Sequence, residues 1–211
     1  MSLPKTRPPW VRTLSAYWVV DGLPDLLVGC AFVVDAGWQT LTTLRPTPSL
    51  PVRLAFVLFV LAIAFGGRWL IQQAKWRLTY PRTGYVRYRP IFPRRQFYLL
   101  AAASLLFTAW LVFKAPQRIL PLGIAAMLTA IFVWVGWHNL SKRYFLYAAL
   151  AILSGGLSWW AAPAVPQPLA ALLQVGTGVF LAVGLGLLGG GSLTLWRYLQ
   201  LPSHQDDPDH A

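Results

Sequence analysis

Residues 68–95 read RWLIQQAKWRLTYPRTGYVRYRPIFPRR and hold eight of the eighteen Lys and Arg residues of the chain, with no Asp or Glu among them. Apolar runs flank the block, at 52–67 before it and 97–113 after it. A dense basic segment between two runs long enough to enter a bilayer is retained on the cytoplasmic side, because Lys and Arg are the charges that set orientation. This one stretch therefore sets the expected direction of every other span.

Composition points the same way. Of 211 residues, 56% are hydrophobic and 11% charged, whereas a soluble domain carries about 25% charged residues. The eleven Trp suit a protein with two membrane–water interfaces, where Trp concentrates. The net charge of +12 could signal nucleic acid. Here the basic residues lie beside apolar runs rather than on a soluble face. Anionic headgroups are thus the expected counter-charge, at about 1 kcal/mol per basic residue near the surface, and no nucleic acid is expected. The single Cys30 excludes an internal disulfide framework. The first apolar run starts late, carries acids and lacks a small-residue cleavage site, so no secretory signal is expected.

The expected fold is all-α, a polytopic membrane helix bundle of about six transmembrane helices with cytoplasmic N- and C-termini. A basic N-terminal segment covers 1–22, a membrane domain 23–200 and a disordered polar tail 201–211. Within 10–20 the apolar residues recur at helical spacing, which suits either a separate interfacial helix or the beginning of the first span. Spans are expected at 23–44, 52–70, 97–113, 119–137, 144–160 and 169–195, with the basic connection 71–96 between the second and third. The second span is expected to continue as helix to about Leu78. In this arrangement fourteen basic residues fall on the side of the termini, and only Arg45, Arg53, Lys114 and Arg118 fall opposite. The bias favours cytoplasmic termini.

The chain has no Glu, and its six Asp leave none between Ala36 and Gln205. Carboxylates in the membrane body therefore come from the first span and its start: Asp21, Asp25 and Asp35. On a continuous helix at 100° per residue the three share one stripe. Intramembrane acids usually face a bundle interior or water, so the stripe is a candidate ion or proton site. The simpler role for Asp21 and Asp25 is capping of the helix start. Asp35 lies ~16 Å beyond Pro24 along the helix, mid-depth in a ~30 Å hydrocarbon core. Pairing with Arg53 or a polar group of another span is its other expected role.

Gly178, Ala182, Gly186 and Gly190 recur every fourth residue, a spacing that lets two helices approach closely in lipid. Packing within the chain is favoured over a homo-oligomer. In the basic connection, Tyr80, Tyr85 and Tyr88 alternate with Arg82, Arg87 and Arg89 after Arg77. Amphipathic tyrosines among arginines suit a surface lying on anionic lipid. A docking site for a protein partner is the alternative. The histidines His138, His204 and His210 make no HExxH spacing, and neither a Gly-Lys-Ser/Thr loop nor a GxSxG elbow occurs. No metal, cofactor or enzymatic activity is expected.

Around Thr79–Val86 the sequence TYPRTGYV resembles an uncharacterised family of small bacterial multi-span integral membrane proteins that carry a TYPRTGYV-like cytoplasmic motif. The likeness extends to Asp21-Gly22-Leu23 with Gly29, and to the ending Leu195-Trp196-Arg197-Tyr198-Leu199. The chain departs from it at Pro24 and Asp35. The resemblance implies a multi-pass protein of the bacterial inner membrane and no particular chemistry. A non-enzymatic membrane protein with a lipid- or partner-binding basic segment is the leading expectation. A small transporter or proton-coupled carrier using an intramembrane Asp is the second.

Overall fold

The structure, a computed structural model, describes residues 21–44, 49–78, 119–139, 141–166, 169–174 and 176–200. The expected span 97–113 and the residues Tyr80, Arg82, Tyr85, Arg87, Tyr88 and Arg89 lie outside the described residues, as do residues 1–20 and 201–211.

The described residues form helices α1 (Leu23–Leu44), α2 (Leu50–Leu78), α3 (Leu120–Asn139), α4 (Lys142–Ala161), α5 (Leu169–Gln174) and α6 (Thr177–Leu199), with no strand among them. A 3₁₀ turn, Ala162–Ala164, follows α4. Helices α1, α3, α4 with its turn, and α6 are each long and apolar enough to cross a membrane. Helix α2 is bent by 59° between Leu50–Ile63 and Gly66–Leu78, and its two halves count together as a fifth.

Local chemistry explains the boundaries. Gly22, at φ 73°, turns the chain into α1, and its carbonyl accepts the first helical bond from the Leu26 amide at 3.1 Å. Pro24 sits in the first turn, where a missing N–H costs no bond. At α2 the carbonyl of Ser49 accepts from the Arg53 amide at 3.2 Å, and Pro51 again falls in the first turn. The expected span 169–195 is corrected: its first residues form the separate short α5, and Gly176 at φ 85° breaks the path before α6 begins at Thr177. Helix covers the expected span 52–70 and bends within it. Helix does continue through Leu78.

Packing rests on small residues, as expected where lipid removes any hydrophobic drive between helices. Helices α1 and α6 cross so closely that a methyl group on Gly29 would come within 2.9 Å of the Leu188 amide nitrogen. One on Gly184 would meet Phe32 and Val33. Gly155 of α4 lies against Ala125 and the Pro121 carbonyl of α3. Between these contacts Leu128, Phe132, Ala151, Val179, Val183 and Leu187 form the core. The outer faces are apolar: Leu146, Leu153 and Leu157 of α4 are 63–70% exposed, which suits contact with acyl chains and would be a liability in water.

Candidate functional site

The first polar centre gathers at the end of the bundle where α1 starts and α2, α3 and α6 finish. Asp21 precedes α1 on the turn made by Gly22. Its Oδ1 accepts from the Leu23 amide at 3.3 Å, and its Oδ2 lies 2.7 Å from the Lys75 ammonium. Both side chains are 1% exposed. Lys75 reaches this depth because it sits on the second half of α2, three residues before the helix ends.

Asp25, one turn into α1, is equally enclosed. Its Oδ1 accepts the Tyr144 hydroxyl at 2.7 Å. Its Oδ2 lies 3.2 Å from Arg143 Nε and 3.4 Å from the Tyr147 hydroxyl. Arg143 Nη1 donates to the Thr194 hydroxyl at 3.0 Å, and Thr194 donates to the Gly190 carbonyl at 2.6 Å. The rings of Tyr144 and Tyr147 meet edge-on, with centroids 5.7 Å apart, and Phe132 packs against both. Only a glycine at 190 leaves room for the Tyr147 hydroxyl.

Two carboxylates and two cations thus meet in one enclosed layer that joins α1, α2, α4 and α6. Buried charges are tolerated when paired and hydrogen-bonded, and both oxygens of each carboxylate are engaged. The layer acts as a lock between helices. The sequence pattern assigned the two acids but not their partners Lys75, Arg143, Tyr144, Tyr147 and Thr194. The available signal was the run Arg143-Tyr144…Tyr147 at the start of an apolar span, a polar face with no purpose in lipid.

Asp35 belongs to a separate centre nearer the other end of α1. The single stripe expected for Asp21, Asp25 and Asp35 is corrected: Asp21 lies outside the helix, and Asp35 faces different neighbours from Asp25. Its Oδ2 accepts from Gln39 Nε2 at 2.7 Å, and Gln39 Oε1 accepts from the Thr177 hydroxyl of α6 at 3.1 Å. The expected pairing of Asp35 with Arg53 does not form. Asp35 lines a cavity of about 270 Å³ between α1 and α2, walled by Phe32, Phe56, Phe59, Val60, Ile63 and Phe180.

The row of small residues on α6 faces α4 of the same chain. Gly178 lies against Ser158, Gly186 against Leu150 and Gly190 against Tyr147, with Ala182 half-buried in the same row. Of the basic segment, Arg77 is described and is exposed. Among the described residues no group of three or more His, Cys, Asp or Glu could hold a metal ion. Comparisons with protein-family models, with characterised proteins and with solved structures found no significant match.

Proposed function

We propose that the chain is a non-enzymatic integral membrane protein of the bacterial inner membrane, crossing it six times with cytoplasmic termini, whose basic face binds anionic lipid headgroups. One observation carries this reading. At the charged end of the bundle, exposed Arg77, Lys142 and Arg197 stand beside exposed Trp76, Trp137 and Trp196. Trp favours the headgroup region, and cations at that depth attract phosphate. A surface made only for a protein partner has no need of tryptophans at the level of the headgroups. The Tyr/Arg residues 80–89 extend the same face in this reading.

The test uses the whole protein in nanodiscs of mixed phosphatidylglycerol and phosphatidylcholine, with spin-labelled lipids reporting which species is held at its surface. Phosphatidylglycerol is enriched around the native chain, and each of Arg77→Gln, Lys142→Gln and Arg197→Gln lowers its relative affinity about fivefold, the equivalent of ~1 kcal/mol per charge. Equal enrichment in the triple variant discards the lipid face, and a partner protein becomes the remaining ligand.

A second reading, a small transporter or proton-coupled carrier, is favoured by the cavity at Asp35. The charge layer narrows it to that residue, since Asp21 and Asp25 are already matched by Lys75 and Arg143. A pH-dependent flux in proteoliposomes that disappears in Asp35→Asn is its expected signature.

A further inference from the structure

We infer that the cavity at Asp35 binds a hydrophobic organic cation, an ammonium group carrying aromatic or branched aliphatic substituents. This rests on the carrier reading of Asp35 and gives that site a class of ligand.

Charge is the first reason. The other two acids of the membrane body meet cations of their own chain, Asp21 at Lys75 and Asp25 at Arg143. Asp35 meets only the Gln39 amide, at Oδ2, and among the described residues no group donates to its Oδ1. A carboxylate surrounded by hydrocarbon is stable only with a counter-charge or a proton. Arg53, one turn from Phe56 on α2, is exposed and makes no ion pair with Asp35. A cationic occupant of the cavity would supply that charge in place of a proton.

The walls say what kind of cation. Phe32, Phe56, Phe59 and Phe180 line the space with Val60 and Ile63. An inorganic cation needs several oxygen ligands at once, and one carboxylate beside phenyl rings does not provide them. Aromatic rings attract a cation through their negative faces, most strongly where water is excluded. An apolar pocket with one oriented polar group is the usual form of a small-molecule site.

Three of the rings are held in place by ring contacts. Trp38 stacks on Phe56 with centroids 4.3 Å apart and planes 5° from parallel, and Phe32 meets Phe180 edge-on at 5.4 Å. The cavity is only half enclosed, and the first half of α2 exposes Leu54, Val57, Leu58 and Leu61 to acyl chains. A lipophilic cation dissolved in the bilayer reaches such a site without crossing water.

The probe is benzyltrimethylammonium, compared with neopentylbenzene, its uncharged carbon isostere. Binding to the whole protein is measured by equilibrium dialysis in phosphatidylcholine nanodiscs, which carry no net lipid charge. The cation binds saturably at one class of site, and Asp35→Asn weakens it about tenfold or more, as does replacing the cation by its isostere. Phe59→Leu keeps the wall apolar and weakens the cation several-fold while leaving the isostere unchanged. Any of three results overturns the site: no saturable cation binding to native protein of unchanged helicity, equal cation binding in Asp35→Asn, or equal binding of cation and isostere. The last would show a neutral Asp35 and an apolar ligand. Flux of an unrelated solute that depends on Asp35 would then still support a carrier, so the two readings fail separately.

Discussion

The Asp25 carboxylate and the Tyr144 hydroxyl meet at 2.7 Å across 119 positions of the chain, tying the start of α1 to the start of α4. Arg143 approaches the same carboxylate and anchors itself on Thr194 of α6. Removing the hydroxyl by Tyr144→Phe should cost about 1.5–3 kcal/mol, the range for a hydrogen bond to a charged group. Asp25→Asn should cost more, about 3–5 kcal/mol, because it leaves Arg143 in the layer without its carboxylate. Unfolding titrations in mixed micelles read both, and equal losses in the two variants would contradict the assignment of charge to Asp25.

Asp21 and Lys75 make the second pair of the layer, and here reciprocal substitution is informative. Asp21→Asn and Lys75→Gln should each destabilise the bundle strongly, and the double variant should lose clearly less than the sum of the two. The expected coupling is about 1–3 kcal/mol. Strict additivity in the same unfolding assay would show that the 2.7 Å approach carries no energy.

The glycines separate into two groups. A side chain on Gly29 would press on the backbone of α6, so Gly29→Ala should destabilise by about 1–3 kcal/mol. Among the described residues, nothing lies within 4 Å of a methyl group on Gly156 or Gly189. Their replacement by Ala should be neutral, or stabilising by up to ~1 kcal/mol through helix propensity. The order of thermal midpoints among the three variants checks this, and a reversed order would place the α1–α6 seam elsewhere.

Orientation is open to direct labelling. With Cys30 replaced by Ser, single cysteines at Ser49 and Gln200 should lie on opposite sides of the membrane, since one precedes α2 and the other follows α6. A membrane-impermeant maleimide added to intact cells should label Ser49→Cys at once and Gln200→Cys only after lysis. Labelling of both from the same side would remove the six-span, cytoplasmic-terminus arrangement.

Much of the architecture could be read from hydropathy, because a lipid-facing helix has to be apolar along its whole length. The first span coincides with Leu23–Leu44, and the fourth and fifth differ from α3 and α4 by a few residues. The bend in α2 beside Gly66 and Gly67 and the break at Gly176 were hidden, since a few small or polar residues such as Gln174 and Thr177 do not end a run that is apolar on average. The charge layer was only half visible. Asp21 and Asp25 stand out in a chain poor in acids, whereas Lys75 and Arg143 look like ordinary topology-setting charges until the fold brings them inward. The row Gly178–Gly190 announced a close contact, but the tighter crossing at Gly29 and Gly184 has no comparable periodicity. At Asp35, spacing alone could not show that the cavity walls are phenyl rings rather than further polar groups.

The distribution of the four locking charges has a consequence for biogenesis. Both acids enter the membrane with the earliest helix. Asp21 finds its cation one helix later at Lys75, while Asp25 must wait for Arg143, after α3 has been made. A nascent chain halted before α4 therefore holds an uncompensated carboxylate at the bundle's edge, a defect that a membrane protease can sense. Chains truncated ahead of Lys142 should be degraded faster than the same chains carrying Asp25→Ala, and pulse–chase half-lives would show equal decay if the unmatched acid goes unnoticed.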